Sequence, residues 1–93
     1  MIKFIISREA KKSFIKLPEK IQKRILQKLG LLKEHSNIFS LTKKLVHLEP
    51  ASHRLRIGSY RVILELKQHT KTDIKFLILA IQHRKEVYKI SFR

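Results

Sequence analysis

The sequence contains no cysteine and no tryptophan, and it has two glycines and two prolines among 93 residues. Without cysteine, neither a disulfide framework nor a thiolate metal site can form. Two glycines are too few for a glycine-rich phosphate loop, and neither GxGxxG nor GxxxxGK[ST] occurs. The longest apolar run, 76–81, is far shorter than the ~20 residues that span a bilayer, and the apolar stretch at 4–6 is too short for a signal peptide. We therefore expect a soluble, cytoplasmic protein that does not associate with membranes through a spanning segment.

Acidic residues are also scarce. Seven Asp and Glu stand against 22 Lys and Arg, which gives a formal net charge of +15 with the five histidines neutral. Such an excess destabilises a small fold through self-repulsion, and a polyanionic partner would offset it. DNA, RNA, an anionic membrane surface and an acidic protein all fit this charge. A well-solvated lysine surface with no partner is the alternative.

The first half of the chain has helical character, and we assign residues 1–93 to a single domain. Hydrophobic residues make up 43% of the sequence, too many for a disordered basic tail. Alternation over 2–6 predicts a first strand. Ser7 is placed to cap the helix that follows it. Pro18 is placed to supply the first residue of a second helix, which ends near Lys33.

The second half has the period of strands. Alternating runs at His53–Ile57 and Tyr60–Lys67 flank Gly58-Ser59, a pair that suits the two-residue loop of a type II′ hairpin. The run within Ile74–Gln82 predicts a central strand covered on both faces. The order is therefore strand, two helices, three antiparallel strands and a short end piece. Outside these elements, 34–40 and 68–73 are predicted loops, 41–49 is ambiguous, and 86–92 is a short helix or an extended tail.

The pairing of residues across the hairpin can be derived from the sequence, because a two-residue loop fixes the register of the two strands. Arg56 then lies opposite Arg61, and Arg54 lies on the same sheet face as both. Like charges in direct opposition destabilise a hairpin, whereas arginine offers phosphate a planar fork that stays charged. The pattern favours an anion site, and three solvated arginines on an open face are the alternative. The predicted core-facing residues are Leu55, Ile57, Val62 and Leu64.

A second group of residues whose side chains could take part in a reaction follows the last strand, where Arg84 lies between His83 and a tyrosine at 88. Tyr88 is equally explained as a packed core aromatic, and His83 as a strand-end residue with no special role. The hairpin has Glu65 as its only acid, so the carboxylates of a two-metal nuclease are missing. No histidine spacing indicates a metal site. An enzyme that acts on nucleic acid would then need no metal or other cofactor, with arginines stabilising phosphate charge and Tyr, Lys or His moving protons.

Taken together, these residues resemble the RelE/ParE superfamily of bacterial and archaeal toxins. The resemblance rests on the order of elements, on RLRIGSYRVI at 54–63 and on HRKEVY at 83–88, and it covers essentially the whole chain. It implies an α+β fold, β-α-α-β-β-β with a short C-terminal segment, in which a mostly antiparallel four-stranded sheet packs on a helical hairpin. It also implies the toxin of a type II toxin–antitoxin system.

The RelE-like members imply an activity as well: metal-independent endoribonuclease cleavage of mRNA in the ribosomal A site. The ribose 2′-hydroxyl attacks the adjacent phosphate and leaves a 2′,3′-cyclic phosphate and a 5′-hydroxyl. By position, Arg61 and Arg84 would stabilise the transition-state phosphate and assist the leaving oxygen. Tyr88, or with less support His83, would act as the general base, and Tyr88 could instead orient the substrate.

The resemblance also assigns residues that grip the RNA. Arg54 and Arg56 fall where RelE proteins carry basic residues, often lysines that can exchange protons. Arginine stays charged, so these two residues suit electrostatic clamping better than acid–base work. Lys43, Lys44 and Lys85 complete the predicted RNA-binding set.

The implied partners are the ribosome, mRNA and a cognate antitoxin, and we expect no membrane partner. Such antitoxins are usually acidic, and they wrap the helical hairpin or displace the C-terminal segment of the toxin. We expect oligomers only through the antitoxin complex. Two alternatives remain from the sequence: a ParE-like inhibitor of DNA gyrase without RNase activity, and a non-catalytic basic module that binds RNA or the ribosome.

Overall fold

The computed structural model describes residues 1–85, and the predicted helix or tail at 86–92 lies outside them. The described part contains two α-helices, a short 3₁₀ helix and five strands. In chain order these are β1 (Ile2–Ile6), α1 (Arg8–Phe14), α2 (Glu19–Leu32), the 3₁₀ helix (Ile38–Ser40), β2 (Thr42–Lys44), β3 (His53–Ile57), β4 (Tyr60–His69) and β5 (Ile74–His83).

All five strands form one sheet in the order β1-β5-β4-β3-β2. β1 pairs in parallel with β5, and the other neighbours are antiparallel. The predicted α+β class and mostly antiparallel sheet are confirmed, but the expected count of four strands is wrong. The fifth strand, β2, comes from the ambiguous segment, where Thr42 pairs with Leu55 and Lys44 with His53. Two lysines in a three-residue edge strand are well placed because the edge is open to water.

The first helix begins where its cap was predicted. The Ser7 hydroxyl accepts a hydrogen bond from the Ala10 backbone N–H (3.1 Å), satisfying one of the donors that a helix start leaves unpaired. The Ser7 N–H donates to the Ile78 carbonyl (3.0 Å), which ties the start of α1 to the sheet. At α2, Pro18 is the cap rather than the first helical residue, because the helix begins at Glu19.

The core lies between the helices and one face of the sheet. The buried stripe of α2, Ile25, Leu29 and Leu32, packs into the same cluster as Phe76, whose side chain is fully buried. The Phe76 ring also stacks on Phe4, with centroids 5.8 Å apart. Removing such an aromatic ring from a core costs about 3–5 kcal/mol. This cluster joins the helices to one face of the sheet.

β5 occupies the central position that its apolar run predicted, since it pairs with β1 on one edge and with β4 on the other. The expectation that both faces are covered is only partly met. Phe76, Ile78 and Ile81 are buried, whereas Leu77 and Leu79 between them are half-buried.

No helix within residues 1–85 is long and apolar enough to cross a membrane.

Candidate functional site

The β3–β4 hairpin places the predicted arginines on the sheet face that points away from the core. Its register is the predicted one, with Arg56 opposite Arg61 and Leu55 opposite Val62. Leu55 and Val62 are buried in the core. Side chains alternate along a strand, so Arg54, Arg56 and Arg61 project from the opposite face. The predicted core-facing residues Ile57 and Leu64 are also buried.

A tight turn holds this arrangement in register. Gly58 has φ +59°, whereas Ser59 has no positive φ, and this combination matches the predicted type II′ turn. A residue with a Cβ would be strained at Gly58 because that backbone conformation is left-handed. A slip of one residue would move every arginine to the core face, so the turn determines the site.

The three arginines differ in exposure. Arg56 is exposed, while Arg54 and Arg61 are half-buried, and an Arg61 guanidinium N–H donates to the Tyr60 carbonyl (3.3 Å). The nearby acid Glu65 forms an ion pair with Lys67 (Nζ to Oε2, 3.0 Å). The positive charge of the hairpin is therefore concentrated near its turn, away from that ion pair.

Strand β2 adds one of its two predicted lysines to this face. Lys43 lies opposite Arg54, so it shares the arginines' side of the sheet. Lys44 lies opposite His53, which is buried against the core, and it therefore projects from the other side. We call Lys43, Arg54, Arg56 and Arg61 the arginine face.

The surroundings of the buried His53 favour its neutral form. Burial lowers its pKa below the ordinary value of 6.5, and the positive charges of Lys44 and His69 lower it further. Its Nδ1 lies 2.9 Å from the Ser52 hydroxyl, and its ring packs against Phe76 with centroids 5.7 Å apart. Because it points away from the arginine face and packs against Phe76, His53 does not belong to the site.

The end of β5 returns to the hairpin turn and brings Arg84 with it. The Arg84 backbone N–H donates to the Ser59 carbonyl (2.8 Å). One residue earlier, the His83 ring meets the Tyr60 ring edge-on, with centroids 5.4 Å apart. The next residue, Lys85, is exposed, and its N–H donates to His83 Nδ1 (3.3 Å). Tyr88, the predicted general base, lies outside the described residues.

Two further cations approach the turn from α2, and sequence reasoning missed both. An open cleft of about 540 Å³ lies between α2 and the hairpin. We call it the turn cleft. The α2 residues Arg24 and Lys28 are four positions apart and therefore share one helix face, which the sequence could have indicated. The turn cleft is lined by Arg24, Lys28, Arg56, Ile57, Gly58, Ser59 and Arg84.

This arrangement can hold a phosphate group and stabilise negative charge that develops on it. Charge-assisted hydrogen bonds from arginine to phosphate are short and directional, and preorganised donors of this kind stabilise a transition state. Among residues 1–85, no group of three or more His, Asp or Glu side chains could hold a metal ion. The cations that the described residues bring to the turn cleft are Arg24, Lys28, Arg56 and Arg84.

Comparison with known proteins agrees with this architecture. The model of the ParE toxin of the type II toxin–antitoxin system parDE matches residues 4–88. The chain therefore belongs to the ParE toxin family, within the RelE/ParE superfamily, and is the toxin of a type II toxin–antitoxin system. No curated protein gives a significant match.

Solved structures with the same fold belong to RelE proteins. The RelBE2 toxin–antitoxin complex from Mycobacterium tuberculosis is similar with a TM-score of 0.70 and 20% identity, over 88% of this chain and 96% of that one. The RelB–RelE complex from Methanococcus jannaschii gives 0.62 and 26%, over 91% and 95%. The isolated E. coli RelE toxin gives 0.58 and 19%, over 92% and 89%. These matches confirm the predicted fold.

Proposed function

We propose that this toxin is a ribosome-dependent, metal-independent endoribonuclease that cuts mRNA in the ribosomal A site. The observation that carries the proposal is the opposition of Arg56 and Arg61 at the turn to which Arg84 also returns. Three arginines of a small domain thereby lie at one end of one hairpin. Such a concentration of permanent positive charge suits a phosphate that gains negative charge during the reaction.

The proposed chemistry is attack of the ribose 2′-hydroxyl on the adjacent phosphate. The oxygen–phosphorus bond that forms closes a 2′,3′-cyclic phosphate, and the bond that breaks releases the 5′-hydroxyl of the next nucleotide. Arg61 and Arg84 stabilise the charge on the phosphate oxygens. Tyr88 accepts the 2′-hydroxyl proton or orients the ribose, a role that rests on the family resemblance.

The remaining cations hold the RNA strand. Lys43, Arg54 and Arg56 of the arginine face bind backbone phosphates, and so does the exposed Lys85, which follows β5. Lys44, which the sequence also predicts to bind RNA, projects from the other side of β2. Contacts of this kind position a strand without reading its sequence.

Primer extension on mRNA in a reconstituted translation system tests this function. Wild-type toxin should produce cuts within codons. Arg61→Ala and Arg84→Ala should each reduce them about 10²–10³-fold while the far-UV circular dichroism stays unchanged. Arg8→Ala is the matched control, because Arg8 is an exposed arginine at the start of α1. Full cleavage by both site variants would refute the assignment.

The family match itself favours a second candidate. ParE-like members act on DNA gyrase and are not RNases, and the matching family model is that of ParE. In this alternative the same fold is a binding module. Inhibition of gyrase supercoiling by the toxin, with mRNA left intact on translating ribosomes, would establish the ParE-like function.

The antitoxin is a further proposed partner, since the two similar complexes contain RelB-type antitoxins. An apolar groove of about 330 Å³ lies between the two helices and the β1–β5 edge of the sheet. Ile15 and Leu26 in this groove are 62% and 58% exposed, so an apolar partner segment would bury them. Lys11 and Lys33 also line it and suit an acidic antitoxin in the cytoplasm.

A further inference from the structure

Among the residues that the structure describes, the turn cleft gathers four cations and no acid. Its charged lining residues are Arg24 and Lys28 from α2, Arg56 from β3 and Arg84 from the end of β5. They come from three separate parts of the chain, so local sequence bias does not explain their convergence. The fold assembles this concentration of positive charge.

Nothing in the described part of the chain neutralises these cations. The three ion pairs among residues 1–85 use Lys12, Lys23 and Lys67, none of which lines the cleft. Arg24 and Lys28 are like charges four residues apart on α2, and this spacing destabilises a helix. A bound anion would convert this repulsion into attraction.

The cleft is continuous with the arginine face. Arg56 belongs to both, because it lines the cleft and lies opposite Arg61 in the hairpin. On the other side, a guanidinium nitrogen of Arg24 lies 3.5 Å from the position that a Cβ at Gly58 would occupy. Arg24 therefore extends from α2 to the hairpin turn.

We propose that the turn cleft is a second phosphate subsite, in which Arg24 and Lys28 bind a backbone phosphate of single-stranded RNA next to the phosphate held by the arginine face. This proposal rests on the proposed function in taking RNA as the substrate. Within residues 1–85, Ile57 is the one apolar side chain in the lining, so this part of the cleft suits a hydrated anion rather than an apolar group. Arginine supplies a fork and lysine a mobile point charge for phosphate oxygens.

The salt dependence of RNA binding tests the subsite. The probe is a fluorescent single-stranded RNA with 2′-O-methyl groups, which cannot be cleaved by 2′-hydroxyl attack. For single strands, log K falls with log salt concentration by a slope of about 0.7 for each phosphate neutralised. Arg24→Gln/Lys28→Gln should lower the slope by about this amount and weaken binding roughly tenfold, the scale of one charge-assisted hydrogen bond.

Lys20→Gln/Lys71→Gln is the control, because it removes the same charge from two exposed lysines outside the cleft. It should leave the slope close to that of the wild type. Equal slopes for the cleft variant and the wild type would overturn the subsite. So would a cleft variant that binds RNA normally but loses a polyglutamate peptide, which would assign the cleft to an acidic protein.

Cleavage assays separate this proposal from the function on which it rests. A slope that falls in the cleft variant supports the subsite even if the wild-type toxin proves not to cut mRNA on the ribosome. Conversely, in-codon cleavage by the wild type together with an unchanged slope in the cleft variant would refute the subsite and leave the endoribonuclease function standing.

Discussion

Arg56 and Arg61 oppose each other across the β3–β4 hairpin, one residue pair away from its turn. Like charges in direct opposition cost stability, and the turn that imposes this register contains a glycine with φ +59°. The hairpin therefore holds two cations together against their repulsion. Retaining such an arrangement is reasonable where an anion binds between them.

We first predict that Arg56→Thr stabilises the protein while it weakens RNA binding. Removing one of two opposed cations, and placing a β-branched residue in a strand, should raise the free energy of unfolding by roughly 0.5 kcal/mol. Urea denaturation followed by circular dichroism measures this. The electrostatic part of this increase in the free energy of unfolding should disappear at 1 M salt, where the Debye length falls to about 3 Å. An equal increase at low and high salt would contradict the repulsion between Arg56 and Arg61.

A second prediction concerns the pH dependence of stability. The pKa of His53 in the folded protein is below its ordinary value of 6.5. As the pH falls below 6.5, the unfolded chain therefore binds a proton at this residue more readily than the folded protein does. The stabilising contribution of neutral His53 is present above about pH 6.5 and decreases as the pH drops below it. Urea denaturation at pH 7.5 and at pH 5 should therefore show lower stability at the acidic pH.

His53→Gln should flatten this pH dependence because it removes the buried titrating group. Lys44→Gln should reduce it partly, since the charge of Lys44 also lowers the pKa of His53. His35→Gln, which changes an exposed histidine, is the control and should leave the slope unchanged. If the free energy of unfolding of His53→Gln changed with pH as much as that of the wild type, another group would be responsible.

The hairpin was predictable because local rules determine it. A two-residue loop that starts with Gly58 fixes the pairing of Arg56 with Arg61, and alternation then assigns the faces. The cap at Ser7 is equally local, since a hydroxyl three residues before a helical N–H is sufficient. These features depend on few neighbours, and the structure confirms them.

The features that sequence reasoning missed depend on tertiary packing. Strand β2 has three residues, too few to show a period, and it becomes a strand because it pairs with 53–55. That pairing also separates Lys43 from Lys44, which sequence alone had grouped. The approach of Arg24 to Gly58 depends on how α2 lies across the sheet, and no local pattern encodes this.

A third prediction distinguishes charge from geometry at Arg84. Losing one preorganised donor to a developing oxyanion slows a reaction by about 10²–10³-fold, so Arg84→Ala should reduce the single-turnover rate of mRNA cleavage by that factor. The cleavage rate of Arg84→Lys should fall between those of the wild type and Arg84→Ala, because lysine keeps the charge but lacks the planar fork. Equal rates for Arg84→Lys and the wild type would show that charge alone is sufficient.

The fourth prediction concerns the antitoxin and uses two leucines of α2 as a matched pair. Leu26 lines the apolar groove and is 58% exposed, whereas Leu31 is 73% exposed and does not line it. Leu26→Glu should greatly reduce co-purification of the tagged toxin with its antitoxin, because a buried, unpaired carboxylate is costly in an apolar interface. Leu31→Glu adds the same charge to the same helix and should leave the complex intact. If both variants retained the antitoxin equally, the groove would not be its binding site; if both lost it, the binding surface would extend around α2 to the face that carries Leu31.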